Sequence, residues 1–172
     1  MAITSYSETM TGALAGQREG LNHDVRSFTN QEAIADLPFG YAVVQGSGAK
    51  DALLPSTSDD VCVGIVAYGH SYGEDDLGDG GPLPLQSVDV INKGMVWVVV
   101  GEAVEVGDRG YVSYASGTAT PGKIMKTDTT DATLDTASQI RFLTAQATPG
   151  GIALAEIDMM NEQGASSVTP SA

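Results

Sequence analysis

The sequence predicts an all-β fold, namely a jelly-roll-like β-sandwich or barrel with an extended N-terminal arm and one short helical turn. The chain has 21 glycines and 7 prolines among 172 residues, a composition typical of short strands joined by frequent turns. Valine-rich stretches are separated by turn residues at intervals of about ten positions. Signals for helix starts are scarce. These three observations indicate about eight short strands packed around one core.

The first 28 residues differ from the rest of the chain. They are small and polar, and their few larger apolar side chains are widely spaced. Such a segment buries too little surface to fold alone, so it is either a disordered tail or an arm that becomes ordered on a partner. We therefore divide the chain into an arm of residues 1–28, a β-sandwich domain of residues 29–160 and a C-terminal tail of residues 161–172.

The segment after the arm contains the predicted helical turn. Thr29 and Glu32 match the T-x-x-E capping box, which marks a helix start. We expect one turn over residues 30–36, placed so that two apolar side chains, Ile34 and Leu37, close one end of the barrel.

The β domain begins near residue 38. Gly64 interrupts an alternating strand and indicates a bulge. Residues 87–100 form two strands or one bent strand that pivots at residues 92–94. The apolar run from Met95 to Val100 predicts a central strand covered on both faces. The predicted strands lie in residues 40–46, 61–69, 87–100, 109–115, near Ile124, and in 140–147 and 150–160.

The charge of the chain limits its partners. The formal net charge is −14 and the sequence pI is about 4.1. We expect no binding to nucleic acid, which requires a basic surface, and no attraction to an anionic membrane. An acidic surface favours solubility and suits a basic protein partner. There is no signal-peptide pattern and no apolar run long enough to span a bilayer, so we expect a soluble protein made in a cytoplasm.

Groups that could support catalysis are few. Cys62 alternates with valines and is expected to pack as a small apolar side chain. The two histidines, His23 and His70, lie apart, in the arm and in a Gly-rich loop, and no nucleophile elbow accompanies them. No phosphate-binding loop or zinc-ligand spacing occurs. The sequence therefore predicts no enzyme, no cofactor and no metal.

Acidic residues cluster in two loops. The loop GEDDLGDGG, within residues 73–81, has the oxygen ligands that calcium prefers, but its spacing does not match an EF-hand. A sugar-hydrolysing pair of carboxylates would need a stacking groove, and the only tryptophan, Trp97, lies in the apolar run. We interpret both loops as solvated. Their acidic residues are Glu74, Asp75, Asp76 and Asp79 in the first, and Asp128, Asp131 and Asp135 in the second.

Four blocks share a pattern of glycine turns and valine strands. A Pro-Phe-Gly corner precedes a valine strand in IADLPFGYAVVQG, and a further strand follows in VGIVAYGHSYG. A Val-Trp-Val strand, a turn and a Gly-Asp-x-x-Tyr-Val segment make up VDVINKGMVWVVVGEAVEVGDRGYVSY, and a closing strand lies in RFLTAQATPGGIALAEI. Together these blocks resemble the capsid cement (decoration) proteins of tailed bacteriophages, over about residues 25–160.

The resemblance implies a virion protein that forms a small oligomer on the outer face of an icosahedral head. We expect a homodimer or a homotrimer, with the dimer favoured because the exposed edges of a jelly roll can pair. It would bridge major capsid protein subunits there, after assembly in the host bacterial cytoplasm. The acidic loop at residues 73–81 has no counterpart in the family pattern. The alternatives are a carbohydrate- or calcium-dependent β-sandwich module of a virion, an enzyme on a β-barrel, or another virion part such as a head-tail joining protein.

The resemblance also suggests which residues would contact the capsid. The apolar side chains of the arm have no other evident burial site, and the Pro-Phe-Gly corner would lie near the same surface. The predicted contact residues are Ile3, Tyr6, Met10, Leu14, Arg18, Leu21, Arg26, Pro38 and Phe39.

Overall fold

The structure is a computed structural model that describes residues 13–32, 37–69, 81–114, 120–129, 132–136 and 139–159. These residues form ten β-strands and no helix, which confirms the predicted all-β, sandwich-like fold. The strands are β1 (Arg18–Asn30), β2 (Ala42–Gln45), β3 (Asp51–Leu53), β4 (Cys62–Val66), β5 (Ser87–Val99), β6 (Tyr111–Ser113), β7 (Ile124–Met125), β8 (Thr133–Leu134), β9 (Ile140–Phe142) and β10 (Ile152–Asp158).

The strands form two sheets. The larger has seven strands in the order β1-β3-β2-β4-β5-β10-β9, and the smaller has three in the order β7-β6-β8. Because β1 also pairs with β5, the first five strands of the large sheet form a closed ring. Strands β10 and β9 extend the sheet from the second half of β5.

Strand β5 organises the large sheet. Its first half pairs with β4, with Ile65 opposite Ile91, and residues 93–99 pair with β10. Along its other edge it pairs with β1, with a register shift between β1 residues Asp24 and Val25. Residues 87–99 thus form one strand with an irregularity at Asn92, which confirms the bent-strand alternative.

Side-chain alternation divides the interior into two clusters of buried residues. Val96, Val98 and Val100 of the central run point into the larger cluster, which packs against the three-stranded sheet. Val43 and other side chains of the opposite face fill the closed ring. The central run is not fully covered on both faces, because Met95 and Trp97 are only half-buried. A continuous apolar sequence does not reveal that Met95 and Trp97 are less buried than the valines beside them.

The predicted capping box is wrong. Thr29 and Asn30 belong to β1 and pair with β3, and the Glu32 carboxylate accepts a hydrogen bond from the Leu54 N–H at 2.7 Å. Thr29 and the Glu32 carboxylate therefore make contacts with distant parts of the chain and do not cap a helix. Residues 33–36, with Ile34, lie outside the described residues, whereas Leu37 is fully buried among the residues that fill the closed ring, as predicted.

Three strands were not predicted. Residues 18–28 had been assigned to the arm, but they lie in β1. Strands β3 and β8 are three and two residues long and occur within stretches rich in turn residues. All three are formed by pairing with distant strands, which local sequence patterns do not specify.

The structure confirms the bulge predicted at Gly64. In the pairing of β2 with β4, Val43 lies opposite Gly64 and Val44 opposite Cys62, so one residue of β4 is skipped. A Cβ at Gly64 would clash with the Ile91 carbonyl oxygen and lie 2.7 Å from Val90 Cγ1.

We therefore expect Gly64→Ala to lower the free energy of unfolding by about 3 kcal/mol or more, through overpacking and backbone strain. Gly107→Ala is the matched control, since Gly107 also has a positive φ of 93° but no atom within 4 Å of a Cβ. It should cost only about 1 kcal/mol. Urea unfolding curves measure both, and equal losses would contradict the proposed clash.

Candidate interaction surface

The N-terminal half of β1 is an exposed strand. Residues 18–22 are all exposed, and residues 23–25 are half-buried. One edge of β1 pairs with β5 along its length, whereas the opposite edge pairs with β3 only at Thr29 and Asn30. No other described strand pairs with that second edge over residues 18–28. An open edge offers backbone N–H and C=O groups to another chain.

A bulge interrupts β1 in this exposed half. Glu19 lies opposite Met95 and Asp24 opposite Lys93, so four residues of β1 face Gly94 alone. Gly94 has a φ of 128°. The bulge pushes the chain away from the sheet without ending the pairing on either side of it.

The bulge is held in place by His23. The His23 Nε2 atom lies 3.0 Å from the Met95 carbonyl oxygen, and because a carbonyl can only accept, Nε2–H is the donor. A Cβ at Gly94 would lie 2.5 Å from His23 Cδ2 and 2.8 Å from the Asn22 carbonyl oxygen, so the glycine makes room for the bulge. Leu21, at its apex, is 99% exposed.

The chain that precedes β1 is anchored at Gly16. The Gly16 N–H donates to the Trp97 carbonyl at 2.7 Å, and the Gly16 carbonyl accepts from the Tyr68 N–H at 2.9 Å. Gly16 has a φ of 77° and also lies against Gly40, with a Cβ at 16 only 3.0 Å from the Gly40 N atom. This anchor brings residues 13–16 beside the Pro38-Phe39-Gly40 corner, and it leaves Leu14 48% exposed.

The structure therefore brings part of the predicted contact set together. Leu14 and the Pro38-Phe39 corner lie at the Gly16 anchor, and Arg18 and Leu21 follow in the exposed half of β1. Phe39 is half-buried and packs edge-to-face on Tyr68 with ring centroids 5.1 Å apart. Arg26 lies further along β1, where its guanidinium is 3.6 Å from the Asp24 carboxylate. Ile3, Tyr6 and Met10 lie outside the described residues.

Two exposed leucines were missed from the sequence. Leu83 is 51% and Leu85 is 75% exposed, in the connection between β4 and β5. The sequence feature that could have identified them is the segment GPLPLQ, residues 81–86, in which two leucines lie between turn residues. Two apolar side chains in a short loop without a strand pattern indicate surface leucines.

The titratable groups of the described residues form no arrangement that could hold a metal ion. No group of three or more His, Cys, Asp or Glu side chains in that part of the chain is placed to hold a metal ion. Asp128 is exposed and accepts a hydrogen bond from Thr133 Oγ1 at 3.2 Å, and Asp135 is exposed. His70, Asp131 and loop residues 73–80 lie outside the described residues.

Cys62 packs as a small apolar side chain, as predicted. It is 3% exposed and belongs to the larger buried cluster. Burial raises the pKa of its thiol to about 12, although a hydrogen bond to the Gly64 backbone lowers it slightly. The thiolate needed for nucleophilic chemistry is therefore almost absent at neutral pH.

No helix in the described part of the chain is long and apolar enough to cross a membrane.

Comparison with known proteins identifies a family. The family model described as structural cement protein (E217 gp24/Pam3 gp6) matches residues 3–158. No curated protein matches the chain.

Two solved structures are similar to the chain. A chain of the capsid of Myoviridae phage XM1 has a TM-score of 0.63 at 18% identity, covering 91% of this chain and 98% of that one. At this identity the likeness shows the fold alone. The N base of the head fiber gp8.5 of bacteriophage phi29 has a TM-score of 0.40 at 14% identity, covering 80% and 96%.

The buried thiol gives a prediction about reactivity. At pH 8 a group with a pKa of about 12 is ionised in about one molecule in ten thousand. We therefore expect native Cys62 not to react with the thiol reagent DTNB over minutes, and one thiol per chain to react at once in denaturing guanidinium. Cys62→Ser, which removes the only cysteine, gives the blank. Immediate stoichiometric reaction of the native protein would contradict the burial of this side chain.

Proposed function

The chain belongs to the family of phage structural cement proteins, and we propose that it binds the outer surface of the icosahedral head and bridges neighbouring major capsid protein subunits. Membership makes it a structural component of the virion that associates with the phage capsid. The location on the outer surface and the bridging of subunits are our proposal. Assembly in the host cytoplasm belongs to the same proposal.

The observation that carries the proposal is the exposed half of β1. An apolar leucine with 99% of its side chain in water contributes nothing to folding, yet a hydrogen bond and a glycine fix the bulge that presents it. A partner that binds a side chain on a fixed support does not have to order it, so more of the contact energy contributes to affinity.

We propose that the arm, residues 1–28, is the capsid-binding element, and that residues 29–160 and 161–172 are the β domain and the tail. Residues 18–28 of this arm are also the first part of β1. Ordering a free arm on the capsid costs about 1–2 kcal/mol per residue in backbone entropy. The Gly16 anchor and the pairing of β1 with β5 remove that cost for the last part of the arm. The proposed contacts are Ile3, Tyr6, Met10, Leu14, Arg18, Leu21, Arg26, Pro38 and Phe39.

A cement role requires no catalysis, and we propose that the protein is not an enzyme. Its contribution is buried area across subunit seams, and many copies act together, so each needs only a modest binding free energy. The net charge of −14 suits a basic surface on the shell and opposes binding to nucleic acid or to an anionic membrane.

The first test is binding to shells. Leu21→Ser should reduce cosedimentation with emptied, expanded phage heads that lack the protein, because it removes an exposed apolar contact and leaves the core intact. We expect a loss of affinity of about tenfold, the size typical of a central interface residue. Its melting temperature should match that of the wild type.

The control for this test is Val106→Ser, which removes another exposed apolar side chain, 67% accessible, from a turn distant in sequence. It should bind as the wild type does, to the same fixed copy number per head. If wild-type protein binds neither expanded heads nor unexpanded procapsids, the proposed function is wrong. If the wild type binds and Leu21→Ser binds equally well, the bulge is not the contact.

We also propose that the protein is a homodimer rather than a homotrimer. The outer edge of β9 is already hydrogen-bonded to residues 107–110, with the Phe142 N–H donating to the Asp108 carbonyl at 2.9 Å. The open edge of β1 is thus the longer edge left for pairing in the described part of the large sheet. Sedimentation velocity should give twice the chain mass of 17.7 kDa. A monomer at all concentrations would contradict this proposal.

A further inference from the structure

The turn that leads into β5 holds a leucine in an unfavourable backbone conformation. Leu85 has a φ of 66°, and it is the only non-glycine residue with a positive φ in the described part of the chain. In this region the Cβ of an ordinary side chain is crowded, so glycine and asparagine are the usual occupants. Leu85 is 75% exposed and its neighbour Leu83 is 51% exposed. Little burial compensates for the strain.

The conformation is fixed by Asn30, the last residue of β1. Asn30 is fully buried, and its backbone N–H donates to the Gln86 carbonyl at 2.9 Å while its carbonyl accepts from the Leu85 N–H at 2.8 Å. Its side-chain Nδ2 donates to the Pro82 carbonyl at 2.8 Å. The turn is also closed internally, because the Leu83 N–H donates to Gln86 Oε1 at 3.0 Å.

These contacts make the turn a rigid support for two exposed leucines. A strained residue persists only where its surroundings determine the conformation, and such residues concentrate at functional sites. A partner that binds a fixed loop does not have to order it, so more of the contact energy contributes to affinity. The turn therefore has the properties of a preformed docking point.

The turn lies at the opposite end of the β1–β5 ladder from Leu21. Thr29 pairs with Ser87, beside the turn, and Glu19 pairs with Met95, beside the bulge. Met95 lies eight positions after Ser87, which corresponds to at most about 26 Å along an extended strand. The two exposed apolar features are thus held at a fixed separation by the most extensively paired strands of the fold.

We propose that the turn of residues 81–86, with Leu83 and Leu85 at its surface, is a second docking point that enters an apolar pocket of the capsid shell protein. This inference rests on the proposed function and deepens it. One copy would then contact the shell both at the bulge of β1 and at this turn. Two linked contacts bind more tightly than either contact alone because the second becomes intramolecular.

The chemistry of the turn favours the shell over a second copy of this chain. Residues 81–86 carry no charge in a chain whose net charge is −14. Two clefts on the described surface contain cationic side chains in their walls, Arg26 and Lys50 in one and Arg109 and Arg141 in the other. The second cleft does not match an uncharged pair of leucines, whose binding would desolvate its charges. The first also has apolar walls, at Phe28, Val63 and Met159, and the association of the family with the capsid favours the shell as the occupant.

The test separates binding from folding with Leu85→Asn. Asparagine tolerates a positive φ and keeps the N–H that donates to Asn30, so the melting temperature should be unchanged or higher. The affinity for emptied, expanded heads should nevertheless fall about tenfold. Leu83→Ser should act in the same direction, and the Leu21→Ser/Leu85→Asn double variant should lose more affinity than either single variant. Val106→Ser, with a similarly exposed side chain, is the control and should bind normally.

Each other outcome overturns the inference. Normal binding by Leu83→Ser and Leu85→Asn, with Leu21→Ser still impaired, would leave the proposed function intact and remove the turn from the contact. A lower melting temperature of Leu85→Asn alongside lost binding would show a structural role. A change in sedimentation of Leu85→Asn without shells would assign the turn to self-association. Failure of the wild type to bind any shell would instead reject the proposed function on which the inference rests.

Discussion

The hydrogen-bonded ladder between β1 and β5 is the constraint on which the rest of the structure depends. Strand β5 has two edges, and β1 occupies one of them almost completely. The other edge is shared, with β4 at residues 90–91 and β10 at residues 93–99. This division joins the closed five-stranded ring to the sheet extension formed by β10 and β9. Without β1, the ring would be open and one edge of β5 would lack its backbone partners, which are costly to leave unpaired in a buried strand.

The same ladder explains why the exposed features are rigid. No described strand pairs with the second edge of β1 before Thr29. Residues 18–22 are therefore exposed, while pairing with β5 on both sides of the bulge holds this segment in place. The His23 contact with the Met95 carbonyl and the Asn30 contacts with the turn of residues 81–86 attach a protruding element at each end. The core strand β5 therefore determines where the exposed leucines lie.

The sequence predicted the parts of the fold that depend on local pattern. Glycines on both sides of a valine pair indicated β2, rough alternation indicated β4, and the apolar segment after a Pro-Gly-Gly turn indicated β10. Gly64 indicated a bulge because it interrupts the alternating apolar positions of β4. Strand β1 was not recognised, since residues 18–22 are exposed and carry no alternation; only its pairing with β5 makes it a strand. The capping box failed for a similar reason, because Glu32 bonds to the distant Leu54 N–H. Of the candidate contacts, Leu14 and Leu21 could be identified as apolar residues without a burial site, whereas the significance of Leu85 depends on its backbone φ, which no sequence pattern states.

Strain at Leu85 and exposure at Leu21 have a common physical meaning. Folding alone would favour glycine or asparagine at the first position and a polar residue at the second, because neither leucine gains enough burial to offset its disadvantage. Both leucines sit on supports that are fixed by buried or half-buried polar side chains, Asn30 and His23, and those contacts resist any rearrangement that would hide them. The ladder between β1 and β5 connects these two supports, so the strands that close the ring also determine where the bulge and the turn lie.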